Sequence, residues 1–353
     1  MGPLSRRSWF AVGIAFALLC GVRALLPIFV ESRVVAALAR NERYAGSFDD
    51  VDVSVVRMAY SIENLRLVKR DGRVPVPFVI AERVEYAFDR MALLQGHVAG
   101  RIEVSSPELN LVDGPTPELR QGPLGVDWRV TLRKLFPTSV NRIDIREGAI
   151  HFRNFQTKPE VDVYLDRLEI HVSNLSLRPG AAKSRVVQIR GSGVTMASGS
   201  IAADFRLISN TVRPSFDCSV SIEGVQLPQW NAFLRAYAGL EVQRGSARID
   251  AEIRSRDGRL HGYVKPFVSD LRALRFRGEA SGSSPLSPVS ESLIDAVTDV
   301  LTDPDRHSIA ARIPISGTLQ SPQQDYWASV RSMVVNAFVE SLEPGLEGER
   351  GAH

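Results

Sequence analysis

Residues 93–114 read LLQGHVAGRIEVSSPELNLVDG, and part of that stretch returns downstream. RIEVSSPELNLVD begins at Arg101 and RIDIREGAIHFRN begins at Arg142, an offset of 41 residues. In each copy two apolar residues alternate with polar ones (Ile102 and Val104; Ile143 and Ile145), a polar pair follows, and the apolar residues resume on the opposite parity (Leu109 and Leu111; Ile150 and Phe152). Period-two alternation is the mark of a half-buried strand. An odd step between two apolar sets requires a bend, bulge or turn where the chain changes phase. A looser third copy, VQRGSARID from Val242, aligns Gly245 with Gly148.

The same alternation runs outward from this pair. VDVSVV places Val51, Val53 and Val55 on one face, and VEYAF places Val84, Tyr86 and Phe88 together. VDVYL does so for Val161, Val163 and Leu165, and FDCSVSI for Phe216, Cys218, Val220 and Ile222. Turns are expected at Asp71-Gly72, Glu147-Gly148, Pro179-Gly180 and Asp257-Gly258. Repeated strand units that each present one apolar face predict a sheet built by accretion, with a period too irregular for a simple solenoid. Helical spacing occurs at 228–238, 288–302 and 325–342. Their apolar stripes suit core packing or, alternatively, a membrane or partner surface.

At 44% hydrophobic and 24% charged residues the composition is that of a folded protein. The net charge of +3 is spread along the chain without a basic run, which argues against a nucleic-acid partner. Cys20 and Cys218 lie too far apart in sequence and context to suggest a disulfide or a zinc site.

The N-terminus reads as an address. Arg6 and Arg7 precede an apolar run from Trp9 to Val22 that includes Phe10, Phe16, Leu18 and Leu19. Those residues alone would span only about 21 Å, so a membrane crossing needs the continuation through Val30. Small-residue cleavage sites are poor, and Leu18 and Leu19 stand badly before Cys20 for a lipoprotein signal. An uncleaved signal anchor is therefore expected over 1–30, with a cleaved signal peptide as the alternative. Arg6 and Arg7 put its N-terminus in the cytoplasm. A short helix is expected over 31–45, a β-rich body over 46–342 in the periplasm, and a disordered tail over 343–353.

No catalytic motif is present in the sequence. The six histidines show no metal-ligand spacing, there is no Gly-rich phosphate loop or Gly-x-Ser-x-Gly elbow, and the acidic run at Asp49, Asp50 and Asp52 lacks the Gly and Glu of a calcium loop. The expectation is a protein that is not an enzyme and uses no metal or cofactor.

Three stretches resemble a known family. LLPIFVESRVVAALA (25–39), VDVSVVRMAYSIENLRLV (51–68) and FVIAERVEYAFDRMALLQGHVAGRIEVSSPELNLVDG (78–114) resemble the start of AsmA-like bacterial envelope proteins, with Pro107, Leu109 and Leu111 filling that family's Pro-x-Leu-x-Leu element. SFDCSVSIEGVQLPQWNAFLRAYAGLEVQRGSARIDAEI (215–253) and ISGTLQSPQQDYWASVRSMVVNAFVESLEPGL (315–346) look like the branch carrying a domain of unknown function. The resemblance implies a long, curved antiparallel sheet with an apolar concave face, and a role in phospholipid transport or outer-envelope maintenance. It also implies a single-pass inner-membrane location, with membrane and phospholipid as partners. Large members are several times longer, so a module working with other envelope components is expected rather than a stand-alone bridge. Val161, Val163, Leu165, Phe216, Val220 and Ile222 are the expected walls of the lipid groove. The competing expectation is a tethered structural or adaptor protein whose sheet carries no lipid.

Overall fold

A computed structural model describes residues 31–32, 35–36, 43–54, 56–94, 99–122, 139–175, 186–208, 215–238, 240–275, 308–310 and 313–318. The expected anchor at 1–30, the helices at 288–302 and 325–342, the turn at Pro179-Gly180 and the tail at 343–353 lie outside these residues. Of the expected helix at 31–45, residues 31–32 and 35–36 are helical, but the chain is already strand at Tyr44.

Fifteen strands form one sheet. They are β1 (Tyr44–Ser47), β2 (Asp50–Ser54), β3 (Ala59–Lys69), β4 (Val79–Phe88), β5 (Ala99–Ser105), β6 (Glu108–Val112), β7 (Ser139–Asn154) and β8 (Val161–Ser173), then β9 (Val186–Thr195), β10 (Ser200–Ile208), β11 (Ser215–Gln226), β12 (Leu240–Arg256), β13 (Arg259–Arg275), β14 (Ser308–Ala310) and β15 (Ile313–Thr318). Spatial order follows chain order almost throughout, the accretion that the alternating pattern predicts. Among the described residues two α-helices interrupt the strands, α1 (Arg90–Leu94) and α2 (Asn231–Ala238), the latter preceded by a 3-10 turn at Leu227–Trp230.

The repeat accounts for the one departure from an antiparallel sheet. β5 and β6 both pair with β7 in parallel, and Arg101 lies beside Arg142, Ile102 beside Ile143, Leu109 beside Ile150 and Leu111 beside Phe152. Every one of these partners is 41 residues apart, so the two sequence copies lie side by side in register. The sheet is therefore mixed, and the antiparallel expectation is corrected at this point. Parallel neighbours need a crossover, and residues 113–138 separate β6 from β7 in the chain.

The phase change in each copy is a backbone kink. Ser106, between β5 and β6, has φ 47°, and Glu147, within β7, has φ 52°. Glu147-Gly148 is thus a bulge inside one long strand and not a turn between two. Comparable left-handed residues occur at Asn64 in β3, Arg167 in β8, Ser198 between β9 and β10, Gly224 in β11, Gly245 in β12 and Asp270 in β13. Register shifts accompany those at Glu147, Arg167, Gly224 and Gly245. These kinks follow one another from strand to strand: the Ser106 N–H donates to Arg146 O at 2.8 Å, and Gly148 pairs with Leu168. They form a crease that bends the sheet while keeping each strand's apolar residues on one face. The Asp257-Gly258 turn joins β12 and β13 as expected, with both residues at positive φ.

At the N-terminal end the apolar face closes into a core of Val51, Val53, Ile62, Ala81, Val84, Tyr86, Ile102 and Val140. Tyr86 stacks on Tyr60 at 5.5 Å and meets Phe88 edge-on at 4.9 Å. Gly100 makes room for the first ring, because a Cβ there would lie 2.5 Å from it.

Candidate functional site

Residues paired across a ladder share a face, so the register can be followed from strand to strand. One row runs Val53, Tyr60, Tyr86, Ile102, Ile143, Val172, Ile189, Phe205, Cys218, Ile253, Gly262 and Ile315. It crosses twelve strands without a charged or amide side chain. The next row on the same face runs Val51, Ile62, Val84, Val104, Ile145, Ile170, Gly191, Ala203, Val220, Ala251 and Val264. Between them, on the opposite face, lie Asp52, Ser61, Glu85, Glu103, Asp144, His171, Arg190, Asp204, Ser219, Glu252 and Tyr263. Twelve strands mean eleven steps of about 4.8 Å, so the apolar band is roughly 53 Å long.

Burial divides this band. From β2 to β5 its residues belong to the closed core, with Tyr86 1% and Ile102 2% exposed. From β7 to β13 both rows are only half-buried, at Ile143, Ile145, Ile170, Val172, Ile189, Phe205, Val220 and Ile253 alike. Among the described elements, α2 is the helix packed on this face, and it sits beyond the crease. There Phe233 and Tyr237 meet Phe152, and Tyr237 is fixed by bonds to Asp113 (2.8 Å) and Asn154 (2.9 Å). Between the crease and the β8–β9 end of the sheet the apolar face is a half-buried strip, the trough, whose row residues are neither fully buried nor exposed.

The six expected wall residues share this face, but the crease separates them. Phe216, Val220 and Ile222 are half-buried in the trough, and Phe216 lies 5.1 Å from the Phe205 ring. Val161, Val163 and Leu165 lie on the far side of Arg167, opposite Asn154, Phe152 and Ile150, with Val161 1% exposed. The β8 residues level with the β11 set are instead Leu168, Ile170 and Val172. Their alternation is visible in RLEIHV (167–172), but which set faces β11 depends on the bulge at Arg167. Cys218 also lies in the trough, where burial pushes its thiol pKa up and Asp204 adds to the rise, which leaves it a poor nucleophile.

The polar face is tied by charged and hydrogen-bonded pairs, some within a strand and some across to its neighbour. Arg142 and His171 hold Asp144 at 2.6 and 2.8 Å, Arg190 and Arg206 hold Asp204 at 3.3 and 3.2 Å, and Arg248 holds Asp250 at 3.0 Å. Hydrogen bonds from Ser221 and Arg248 keep the Asp250 carboxyl below the usual carboxylate range. A cavity of about 630 Å³ opens on this face, lined by Glu169, His171, Arg190, Asp204, Asp250 and Lys265 among others. A twisted sheet is a saddle, and each face is hollow along one diagonal, so a cavity on the polar face is compatible with a hollow on the apolar one.

Among the described residues no group of three or more His, Cys, Asp or Glu is placed to hold a metal ion, and no helix is long and apolar enough to cross a membrane. No protein-family model matches the chain, and no curated protein matches its sequence.

Proposed function

We propose that the chain carries or shields phospholipid acyl chains along the open apolar face, as part of lipid transport or outer-envelope maintenance. In this reading residues 1–30 anchor the protein once in the inner membrane and the sheet stands in the periplasm. The observation that carries it is the pair of apolar rows that continue unbroken from the closed core at β2–β5 into half-buried positions at β7–β13. An apolar strip that stays half-buried across the seven strands β7–β13, about 29 Å, has the length and chemistry for extended hydrocarbon. Phospholipid headgroups would remain at the rim, since the rows themselves offer them no ionic partner. The half-buried part of the band, six steps of about 4.8 Å or about 29 Å, suits single acyl chains and falls short of a cell-envelope span, which supports a relay with other envelope components.

The adaptor reading rests on the polar cavity on the opposite face, which suits a protein partner better than a lipid. The two readings separate on the lipids that co-purify with the full chain after gentle extraction, measured by mass spectrometry against a control envelope protein. Stoichiometric phospholipid is the expected result. A stable, lipid-free preparation would sink the carrier reading and favour the adaptor. The anchor is tested separately, by whether the chain stays with membranes after alkaline extraction while its body is open to protease from the periplasmic side.

A further inference from the structure

At the end of the sheet opposite the entry of the chain, two adjoining connections expose large apolar side chains. Val56 is 85% and Met58 37% exposed in the β2–β3 turn, and Met91 is 66% and Leu94 83% exposed on α1. The connections are bound to each other: Arg90 donates to Val56 O at 2.9 Å, and the Phe88 N–H donates to Met58 O at 2.9 Å. The two connections that carry the four apolar residues are therefore tied to each other. Arg57 and Arg90 flank these residues. The nearby Asp89 carboxylate is engaged in capping α1, accepting the N–H groups of Met91 (2.9 Å) and Ala92 (3.2 Å), while Glu85 lies 3.9 Å from Arg57, at the limit of an ion pair. The chain enters the sheet at the other end of β3, where Tyr44 pairs with Lys69. β3 sets the two ends roughly 34 Å apart.

Exposed Val, Met and Leu side chains beside arginines are chemically matched to a surface that is apolar below and anionic above. We propose that this tip docks on an anionic lipid surface, inserting Val56, Met58, Met91 and Leu94 between headgroups while Arg57 and Arg90 pair with lipid phosphates. The proposal deepens the lipid-carrier reading and rests on it for its purpose: the tip would hold the edge of the sheet against a bilayer other than the one that receives residues 1–30. Val56, Met91 and Leu94 lie mostly in water, Met58 is 37% exposed, and none of the four belongs to the core cluster.

The test uses the full chain in phosphatidylcholine nanodiscs and measures capture of vesicles made of phosphatidylcholine alone or mixed with phosphatidylglycerol. Wild type is expected to capture the phosphatidylglycerol vesicles far more strongly. The double variant R57Q/R90Q should lower that capture about thirtyfold, at roughly one interfacial basic residue's contribution for each arginine. An independent variant, V56S/M58S/M91S/L94S, should lower capture of the same vesicles, and both variants should keep the wild-type melting temperature and co-purified lipid. Equal capture of the two vesicle types would overturn the proposal and leave the patch to a protein partner. Wild-type capture by either variant would overturn it as well. A lipid-free chain that still captures phosphatidylglycerol vesicles would sink the carrier reading but not the docking tip.

Discussion

Ile102 and Val220 lie in neighbouring rows on one face, yet their surroundings differ. Ile102 is 2% exposed among Tyr86, Val84 and Val140, so Ile102→Ala leaves a cavity and should cost about 2–5 kcal/mol in denaturant unfolding. Val220 is half-buried in the open trough, where a carboxylate can still reach water. Val220→Asp should therefore leave the melting temperature within a few degrees of wild type while removing bound lipid; Ser219→Asp, one residue away on the polar face, should leave the lipid in place. If Val220→Asp unfolds the protein, the trough is a dry core. On the polar face, burial alone would raise the Asp144 carboxyl, but its bonds with Arg142 and His171 outweigh burial and hold it below the usual range. A depressed folded-state value means that the ionised group stabilises the fold above its unfolded pKa of about 3.9, and that this contribution fades as pH falls through the lower folded value. Asp144→Asn should thus be less stable than wild type at neutral pH, with the gap closing in acid. A gap that persists undiminished at low pH would rule out the ionic origin.

Alternation fixes which residues share a face only between bulges, and that sets the limit of what the sequence conveys. The strands at 51–54, 84–88, 161–165 and 216–222, the helix at 228–238 and the kink in each copy of the repeat were all readable, because period two and its interruption are local. Direction was not, since an alternating strand has the same pattern in parallel and antiparallel neighbours. The 41-residue offset turned out to be a pairing register, something no local pattern conveys. For the same reason alternation alone groups Val161, Val163 and Leu165 with Phe216, Val220 and Ile222, although the bulge at Arg167 sets Leu168, Ile170 and Val172 level with them. The short helix α1 carries no apolar stripe long enough to announce itself. The bulge itself is testable. Glu147 sits at φ 52°, a conformation glycine adopts freely, so Glu147→Gly should change stability by no more than about 1 kcal/mol. Deleting Glu147 should instead turn Ile150 and Phe152 to the polar face and cost several times as much, of the order seen for lost core residues. Equal effects of the two changes would mean that the crease does not set the faces.

For the molecule as a whole, one sheet does two jobs. Its N-terminal strands close their apolar face into a core, its later strands leave that face half-open, and the polar face is held by charge pairs throughout. A sheet extended strand by strand can lengthen an apolar band without building a second core, which is an economical route to a hydrocarbon-sized surface. The central claim is that acyl chains lie on this face and not the other. The most direct test is to place a photo-cross-linking residue at Val220 or at Ser219, irradiate the full chain in cells, and look for phospholipid attached to it. Neighbouring positions on opposite faces control for abundance, folding and location. Phospholipid captured at Val220 and not at Ser219 is the expected result; equal capture at both positions, or none at Val220, would contradict it.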